Sequence, residues 1–194
     1  MRHEAGGPQL KIRMARPEDA EGITAIYAPI VRDTPISFEL DPPDTDEMRS
    51  RIVKTLAMFP WLVMEIDGRV AGYAYATRHR DRLAYQWSID VSCYVHADHR
   101  GQGIGSSLYR TLMKILRRQG FQTAYAGVAL PNDASVALHK SVGFVPVGIY
   151  RETGYKLGAW RDTIWLQCRV GDAVAEPAEP TPLPELGPGV LDEL

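Results

Sequence analysis

Residues Tyr94 to Leu112 read Y-V-H-A-D-H-R-G-Q-G-I-G-S-S-L-Y-R-T-L. An apolar strand pattern closes at Val95. A polar turn follows, and Gly101, Gly103 and Gly105 alternate just before an amphipathic helical run. Glycines let a backbone turn its N–H groups inward and let a ligand come close. A helix N-terminus behind them adds unpaired donors and the positive end of a dipole. The segment therefore predicts an anion cradle, with pyrophosphate as its natural occupant. A Walker loop needs Lys and then Ser/Thr after its last glycine, but Gly105 is followed by Ser106 and Ser107. A dinucleotide fingerprint needs glycine at 106, which is Ser, and an acid closing the next strand; Thr123 to Leu130 (T-A-Y-A-G-V-A-L) carries none. A coenzyme A loop, Arg/Gln-x-x-Gly-x-Gly/Ala, is met by Arg100-Gly101-Gln102-Gly103-Ile104-Gly105. The plain alternative is an ordinary glycine-rich turn before a helix, and the residues downstream argue against it.

Outward from this loop, the pattern predicts a strand over Tyr85–Val95 before it and a helix over Ile104–Gln119 after it. Upstream lie a strand at Lys11–Ala15, a helix opened by Pro17-Glu18-Asp19 and a loop or short extended piece at Thr34–Leu40. A second helix spans Asp44–Met58, with Thr45 as its expected cap. Ile23, Ile26, Tyr27 and Ile30 recur at helical spacing on the first helix. Strands at Trp61–Ile66 and Val70–Thr77 flank Asp67-Gly68, a strong hairpin signal. Downstream come the Thr123–Leu130 strand, a short helix from Asn132 to Val142 stopped by Gly143, and strands at Phe144–Arg151 and Trp160–Arg169. This order gives a mixed α/β sheet flanked by helices.

The chain has 194 residues, 45% hydrophobic and 24% charged, with a net charge of −2. That bounds one domain over residues 10–170, large enough to bury a core without staples. Residues 1–9 read as a flexible lead-in, and the proline- and acid-rich stretch 171–194 as a disordered tail. Near-neutral charge leaves no footprint for nucleic acid or an anionic membrane. No apolar run reaches the length of a membrane span, and no signal peptide is read, so a cytoplasmic protein is expected. Cys93 and Cys168 sit in apolar strand patterns and read as buried free thiols; no metal site is expected. Asp90 is out of place on burial grounds within W-S-I-D-V-S-C-Y-V and needs a partner or a job; a solvent-facing strand-end acid is the bland alternative. His139 lies four residues after Ser135 and seven after Asn132, so the three share roughly one helical face.

Element order and the R-G-Q-G-I-G loop resemble the GCN5-related N-acetyltransferase (GNAT) superfamily over roughly residues 10–169. Five stretches look more closely like the phosphinothricin and methionine sulfoximine/sulfone N-acetyltransferases. They are F-P-W-L-V (59–63), D-G-R-V-A-G-Y-A-Y-A (67–76), A-Y-Q-W-S-I-D (84–90), L-P-N-D-A-S-V-A-L-H-K-S-V-G-F (130–144) and G-Y-K-L-G-A-W-R-D (154–162). The resemblance implies a GNAT fold, a mostly antiparallel splayed sheet with helices on both faces. It also implies acetyl-CoA as co-substrate and transfer of acetyl to the amine of a small amino acid.

The resemblance also distributes roles. The pantetheine arm is expected along Cys93, Tyr94 and Val95, and the pyrophosphate on Arg100, Gly101, Gln102, Gly103, Ile104, Gly105 and Ser106. Asn132, also an expected N-cap, and Ser135 complete the cofactor set. Asp90 is the expected base for the amine, where relatives usually carry Glu; being shorter by a methylene, it acts directly or through an ordered water. His139, where many members carry Tyr, is the expected acid for the departing thiolate. Arg80 and Arg82 are expected to clamp the substrate carboxylate, with a solvated basic loop as the alternative. Phe38, Tyr75, Tyr85, Val91 and Ser92 are the expected pocket walls. The 154–160 segment resembles one near the dimer interface of relatives, so a homodimer is expected; ordinary core is the other reading of Trp160.

The competing readings are an acetyltransferase of protein or peptide N-termini, which needs an open groove, and a non-catalytic acyl-CoA-binding module, which would not need Asp90 or His139. A nucleotide-binding regulatory domain is disfavoured by the missing lysine and acid.

Overall fold

The computed structural model describes residues 9–172, 174–187 and 189–192. The expected lead-in over residues 1–9 falls outside them except for Gln9. Seven strands form one sheet in the order β1-β2-β3-β4-β5-β7-β6. They are β1 (Leu10–Met14), β2 (Trp61–Ile66), β3 (Arg69–Arg78), β4 (Ser88–Val95), β5 (Thr123–Ala129), β6 (Val145–Lys156) and β7 (Ala159–Arg169). Every neighbouring pair is antiparallel except β4–β5, which is parallel. The helices are α1 (Ala20–Asp33), α2 (Thr45–Leu56), α3 (Ile104–Gln119) and α4 (Asp133–Ser141).

Strand side chains alternate between faces, so one sheet serves two cores. Tyr73, Val63 and Trp61 bury against Ile23, Ile26, Tyr27 and Ile30 of α1 and Met48 and Ile52 of α2. Ala74, Ala76, Ile89 and Val91 bury against Ile104, Leu108, Leu112 and Ile115 of α3. The Asp67-Gly68 hairpin forms with both residues at positive φ, 47° and 78°, as a two-residue turn of that chemistry requires.

Three local expectations are corrected. Asp44, not Thr45, caps α2, its Oδ1 accepting the Glu47 backbone N–H at 2.8 Å. The strand expected from Tyr85 begins at Ser88, because Leu83–Tyr85 winds into a 3-10 turn that takes up the preceding residues. The tail also differs from its composition. Trp87 Nε1 donates to Ala178 O at 2.7 Å, and the buried Gln119 donates through Nε2 to Met58 O and Thr181 O at 2.7 and 2.8 Å. Leu183 and Val190 are buried in the α3-side core. Composition counts average apolar content. Docking here needs a few anchors and the unpaired polar groups at the C-terminus of α3, and prolines hold part of the segment extended beforehand.

Candidate active site

The site is built around a split in the sheet. The parallel β4–β5 ladder covers only Ser88–Asp90 against Thr123–Tyr125. Beyond it β4 stays with β3 as far as Val95, while β5 stays with β7 to Ala129. The facing edges of Val91–Val95 and Ala126–Ala129 are thus parted, leaving strand backbone open to an extended ligand.

On the α3–α4 side the split opens into a groove of about 590 Å³. Cys93, Tyr94 and Val95 line it from β4; Arg100, Gly101, Gly103, Ile104, Gly105 and Ser106 from the loop and the start of α3; Asn132 and Ser135 from α4. Gly103 stands at the α3 N-cap with φ 80°, where a side chain would be strained although the space beside it is open. Of the expected cofactor residues, Gln102 is placed otherwise: its Nε2 donates to Asp98 O, bracing the loop from outside the groove. Burial pushes the Cys93 thiol up to about 12, so it stays protonated.

Asn132 caps α4 through Oδ1, which accepts the Ser135 N–H at 3.2 Å. One turn on, His139 is buried, and burial lowers its pKa against a backbone bond to Ser135 that opposes the shift. His139 Nδ1 lies 2.7 Å from Ser135 O, a carbonyl that can only accept, so the ring proton sits on Nδ1. Nε2 is then the acceptor for the Tyr109 hydroxyl at 2.9 Å. Tyr109 was missed in the sequence because it reads as one more apolar position of α3. Tyr109 and His139 line a small cavity of about 50 Å³ inside the split, with Ser92, Cys93, Tyr94 and Gly127.

On the opposite face lies a chamber of about 380 Å³ lined by Phe38, Thr77, Asp90, Val91, Ser92, Tyr94, Gly127, Thr153, Thr163 and Trp165. Thr77, Asp90 and Ser92 share this face by register, Thr77 opposite Asp90 and Tyr75 opposite Ser92. A shift in the β6–β7 register between Tyr150 and Gly154 bulges the strand and aims Thr153 at the chamber. Phe38 lies flat over Gly154, where a Cβ would come within 2.6 Å of its ring. The loop carrying Phe38 is fixed by the buried Lys156, whose Nζ donates to Val31 O and Ser37 O at 2.6 Å each, and by Tyr27 Oη at 2.8 Å from Ser37 Oγ.

Asp90 Oδ1 lies 2.7 Å from His79 Nδ1. Burial raises the Asp90 pKa, and His79 and the nearby Arg80 charge offset part of the rise. Sequence reading passes over His79 beside the basic loop of Arg80 and Arg82; its signal was a histidine two residues beyond Thr77, the residue that pairs with the out-of-place Asp90.

Phe38, Val91 and Ser92 stand where the wall was expected. Tyr75 lies in a neighbouring aromatic recess, stacked on Trp61 with ring centroids 4.3 Å apart. Tyr85 is exposed and edge-on to His79. Arg80 and Arg82 are exposed and line no part of the chamber; Arg80 Nη1 donates to His79 O at 3.0 Å. Trp160 is 59% exposed, so the reading as core does not apply to the single chain. Among the described residues no three His, Cys, Asp or Glu gather as a metal site, and no helix is long and apolar enough to cross a membrane.

Four comparisons with known proteins bear on this fold with a groove and an Asp90-lined chamber on either side of a parted sheet. A model of the acetyltransferase (GNAT) domain matches residues 12–165. A phosphinothricin N-acetyltransferase of Alcaligenes faecalis is 43% identical over 158 residues, covering 80% of each chain. An L-methionine sulfoximine/L-methionine sulfone acetyltransferase of Salmonella typhimurium is 32% identical over 170 residues, 87% of this chain and 99% of that protein. The crystal structure of a GNAT superfamily phosphinothricin acetyltransferase from Sinorhizobium meliloti in complex with acetyl-CoA superposes with a TM-score of 0.84 at 34% identity, covering 88% of this chain and 94% of that one. The mixed, mostly antiparallel split sheet flanked by helices is their fold, and this chain belongs to the GNAT superfamily of N-acetyltransferases, which use acetyl-CoA as acetyl donor.

Proposed function

We propose that the protein transfers acetyl from acetyl-CoA directly to the α-amino group of a small amino acid or analogue of the phosphinothricin, methionine sulfoximine or methionine sulfone type. The observation that carries this reading is the split itself. It has the cofactor groove at one mouth and a chamber of about 380 Å³ holding Asp90 at the other. Acetyl-CoA supplies an activated acetyl thioester.

Exposed backbone of Cys93, Tyr94 and Val95 would hold the pantetheine arm, and the N–H groups from Gly101 to Ser106 the pyrophosphate. Asp90 takes the proton of the acceptor ammonium, directly or through one water, leaving a neutral amine to attack. Its raised pKa makes it a better proton acceptor than an ordinary surface carboxylate. On the other side of the split, the Tyr109 O–H rests on His139 Nε2, and it turns from that nitrogen to donate to the departing sulfur as charge develops there. Transfer without an acyl-enzyme fits the protonated Cys93 thiol. Arg80, whose charge is felt at Asp90, is assigned to the acceptor carboxylate, with Arg82 beside it.

A chamber of about 380 Å³ bounded by Phe38 and Thr153 favours a small acceptor over a protein N-terminus. Val145, Val147, Tyr155, Leu157 and Trp160 are exposed on the β6 edge and its hairpin, and we assign them to a homodimer contact. We assign the protein to the cytoplasm, a location that suits the donor and the two unpaired cysteines.

A panel of amino acids and analogues, assayed by free-thiol release from acetyl-CoA, tests the reading. Turnover of phosphinothricin-type acceptors in preference to peptides is expected. No thermal shift with millimolar acetyl-CoA, or turnover confined to peptides, overturns it.

A further inference from the structure

We propose that His79 is a positioning residue for the general base, holding one oxygen of Asp90 so that the other is presented to the acceptor chamber. The inference rests on the assignment of Asp90 as base. His79 follows the last residue of β3, opposite the start of β4, and its backbone N–H reaches Ser88 O at 3.4 Å. Its ring is stacked on Tyr125 with centroids 4.4 Å apart and planes 20° from parallel. Tyr85 and Trp165 meet it edge-on at 6.1 and 6.2 Å. This aromatic box fixes the imidazole, whose Nδ1 lies 2.7 Å from Asp90 Oδ1. A carboxylate can only accept, so Nδ1 carries the hydrogen of this bond. Asp90 and Trp165 line the chamber and His79 does not, so the imidazole acts through the carboxylate.

Two consequences distinguish positioning from packing. Without the donor, the Asp90 side chain is free to turn toward the exposed Arg80, and turnover falls. The bond also favours the ionised carboxyl, so its loss pushes the Asp90 pKa further up and moves the acid limb of the pH profile to higher pH. The titratable and charged groups around the pair are Arg80 beside His79, Tyr85 in the following turn and Tyr125 on β5.

The test contrasts two substitutions in the full chain. His79→Phe keeps a ring to stack on Tyr125 and deletes the donor. His79→Asn loses the stack, but its amide nitrogen stands near the place of Nδ1. For each, kcat and KM toward the best amino acid and toward acetyl-CoA are measured from pH 5 to 10, together with Tm. For His79→Phe the acid limb should rise by about one to two pH units, the size of effect of a charge-assisted hydrogen bond on a carboxyl. Its kcat/KM for the acceptor at pH 7 should fall about 10- to 100-fold and recover toward pH 9, with KM for acetyl-CoA unchanged. His79→Asn should keep the limb near its original position even if its Tm drops.

A His79→Phe enzyme with the parental limb and kcat/KM overturns the proposal. So does an equal fall in both variants with an unmoved limb. If His79→Phe does not fold, the ring-proton resonances of His79 in the unmodified enzyme decide: they should shift as Asp90 titrates and lose that step in Asp90→Asn, and indifference overturns the pair. Asp90→Asn is assayed alongside. If it keeps full kcat, the base assignment fails and this inference with it; if it is inactive while His79→Phe behaves as the parent, only the role of His79 fails.

Discussion

The two faces of the split sheet were built in different ways. The α3–α4 face is made mostly from two stretches, Val91–Tyr109 and Asn132–Ser141, with Gly127–Ala129 of β5 and Ile30 and Ile36 beside them. The acceptor face gathers Phe38, Thr77, Asp90, Gly127, Thr153, Thr163 and Trp165 from six separate parts of the chain. On the proposed reading the first takes a fixed chemical object, a pyrophosphate on a pantetheine arm, which needs backbone N–H groups and an open strand edge. The second must fit one side chain among many, so its walls come from loops and a bulge that can vary without disturbing the ladder. The ionisable groups differ in the same sense. His139 is buried and held neutral, with both ring nitrogens occupied, whereas Asp90 is a carboxyl kept above its ordinary pKa beside an exposed arginine.

The largest expected effect tests that contrast at Asp90. Asp90→Asn should lower kcat near neutral pH by roughly 10²–10⁴-fold. Part of the loss should be recovered at high pH, where more of the amine is already neutral. Its stability should move the other way. A carboxyl whose pKa is raised by folding contributes stability that is present below its unfolded pKa and lost as pH rises through the folded value. At neutral pH the ionised group is therefore a cost, and the neutral amide should give an equal or higher Tm. A clear drop in Tm at pH 7 would show that Asp90 is a structural anchor instead.

Next in size is the tail, which underpins the α3 side of the sheet. Ending the chain at Val170 removes Leu183 and Val190 from that core and strips Gln119 of its Thr181 partner. Burial of two such side chains, less the entropy of ordering the segment, leaves a loss of about 2–4 kcal/mol. That corresponds to roughly 4–16 °C in Tm for a domain of this size. KM for the acceptor should hardly change, because nothing in the acceptor chamber touches the tail. An unchanged Tm would mean that the docked segment adds no net stability.

Smaller again is the sulfur side. Tyr109→Phe should lower kcat about tenfold, the cost of one hydrogen bond to a developing charge. His139→Ala should resemble it, since the imidazole acts by holding that hydroxyl. Neither should show the alkaline recovery of Asp90→Asn. Full activity in Tyr109→Phe with a large loss in His139→Ala would return the proton to His139 alone.

Legibility in the sequence follows the same division. The glycine loop before α3 and the helix α4 were readable because each is local: a glycine spacing, an N-cap, an i, i+4 pair. Trp61–Ile66 and Ile104–Gln119 fall where periodicity put them. Asp90 could be singled out because a carboxylate contradicts a buried strand. His79 could not, because the contact that matters crosses a hairpin and its neighbours in the chain are arginines. Lys156 was equally hidden: a lysine beside a hairpin turn reads as solvated, yet two carbonyls from 31 and 37 take its ammonium. The tail failed for a third reason, since composition reports average apolarity and not the partners waiting at the end of α3.

The smallest expected effect separates the two arginines of the β3–β4 connection. A clamp that surrounds a desolvated carboxylate loses far more on truncation than a solvated charge does. Both side chains are exposed, and neither lines the chamber. Arg80 has two ties to the site: its guanidinium donates to His79 O, and its charge lowers the Asp90 pKa. Arg80→Ala should therefore raise the acceptor KM about tenfold and move the acid limb slightly upward, with KM for acetyl-CoA constant. Arg82 has no such tie among the described contacts, and Arg82→Ala should leave all constants within roughly twofold, as for an isolated surface charge. Steady-state kinetics with the acceptor varied at fixed acetyl-CoA read both at once. A tenfold rise for Arg82→Ala with none for Arg80→Ala would move the carboxylate contact to Arg82, and it would mean that the connection refolds over the acceptor when it binds.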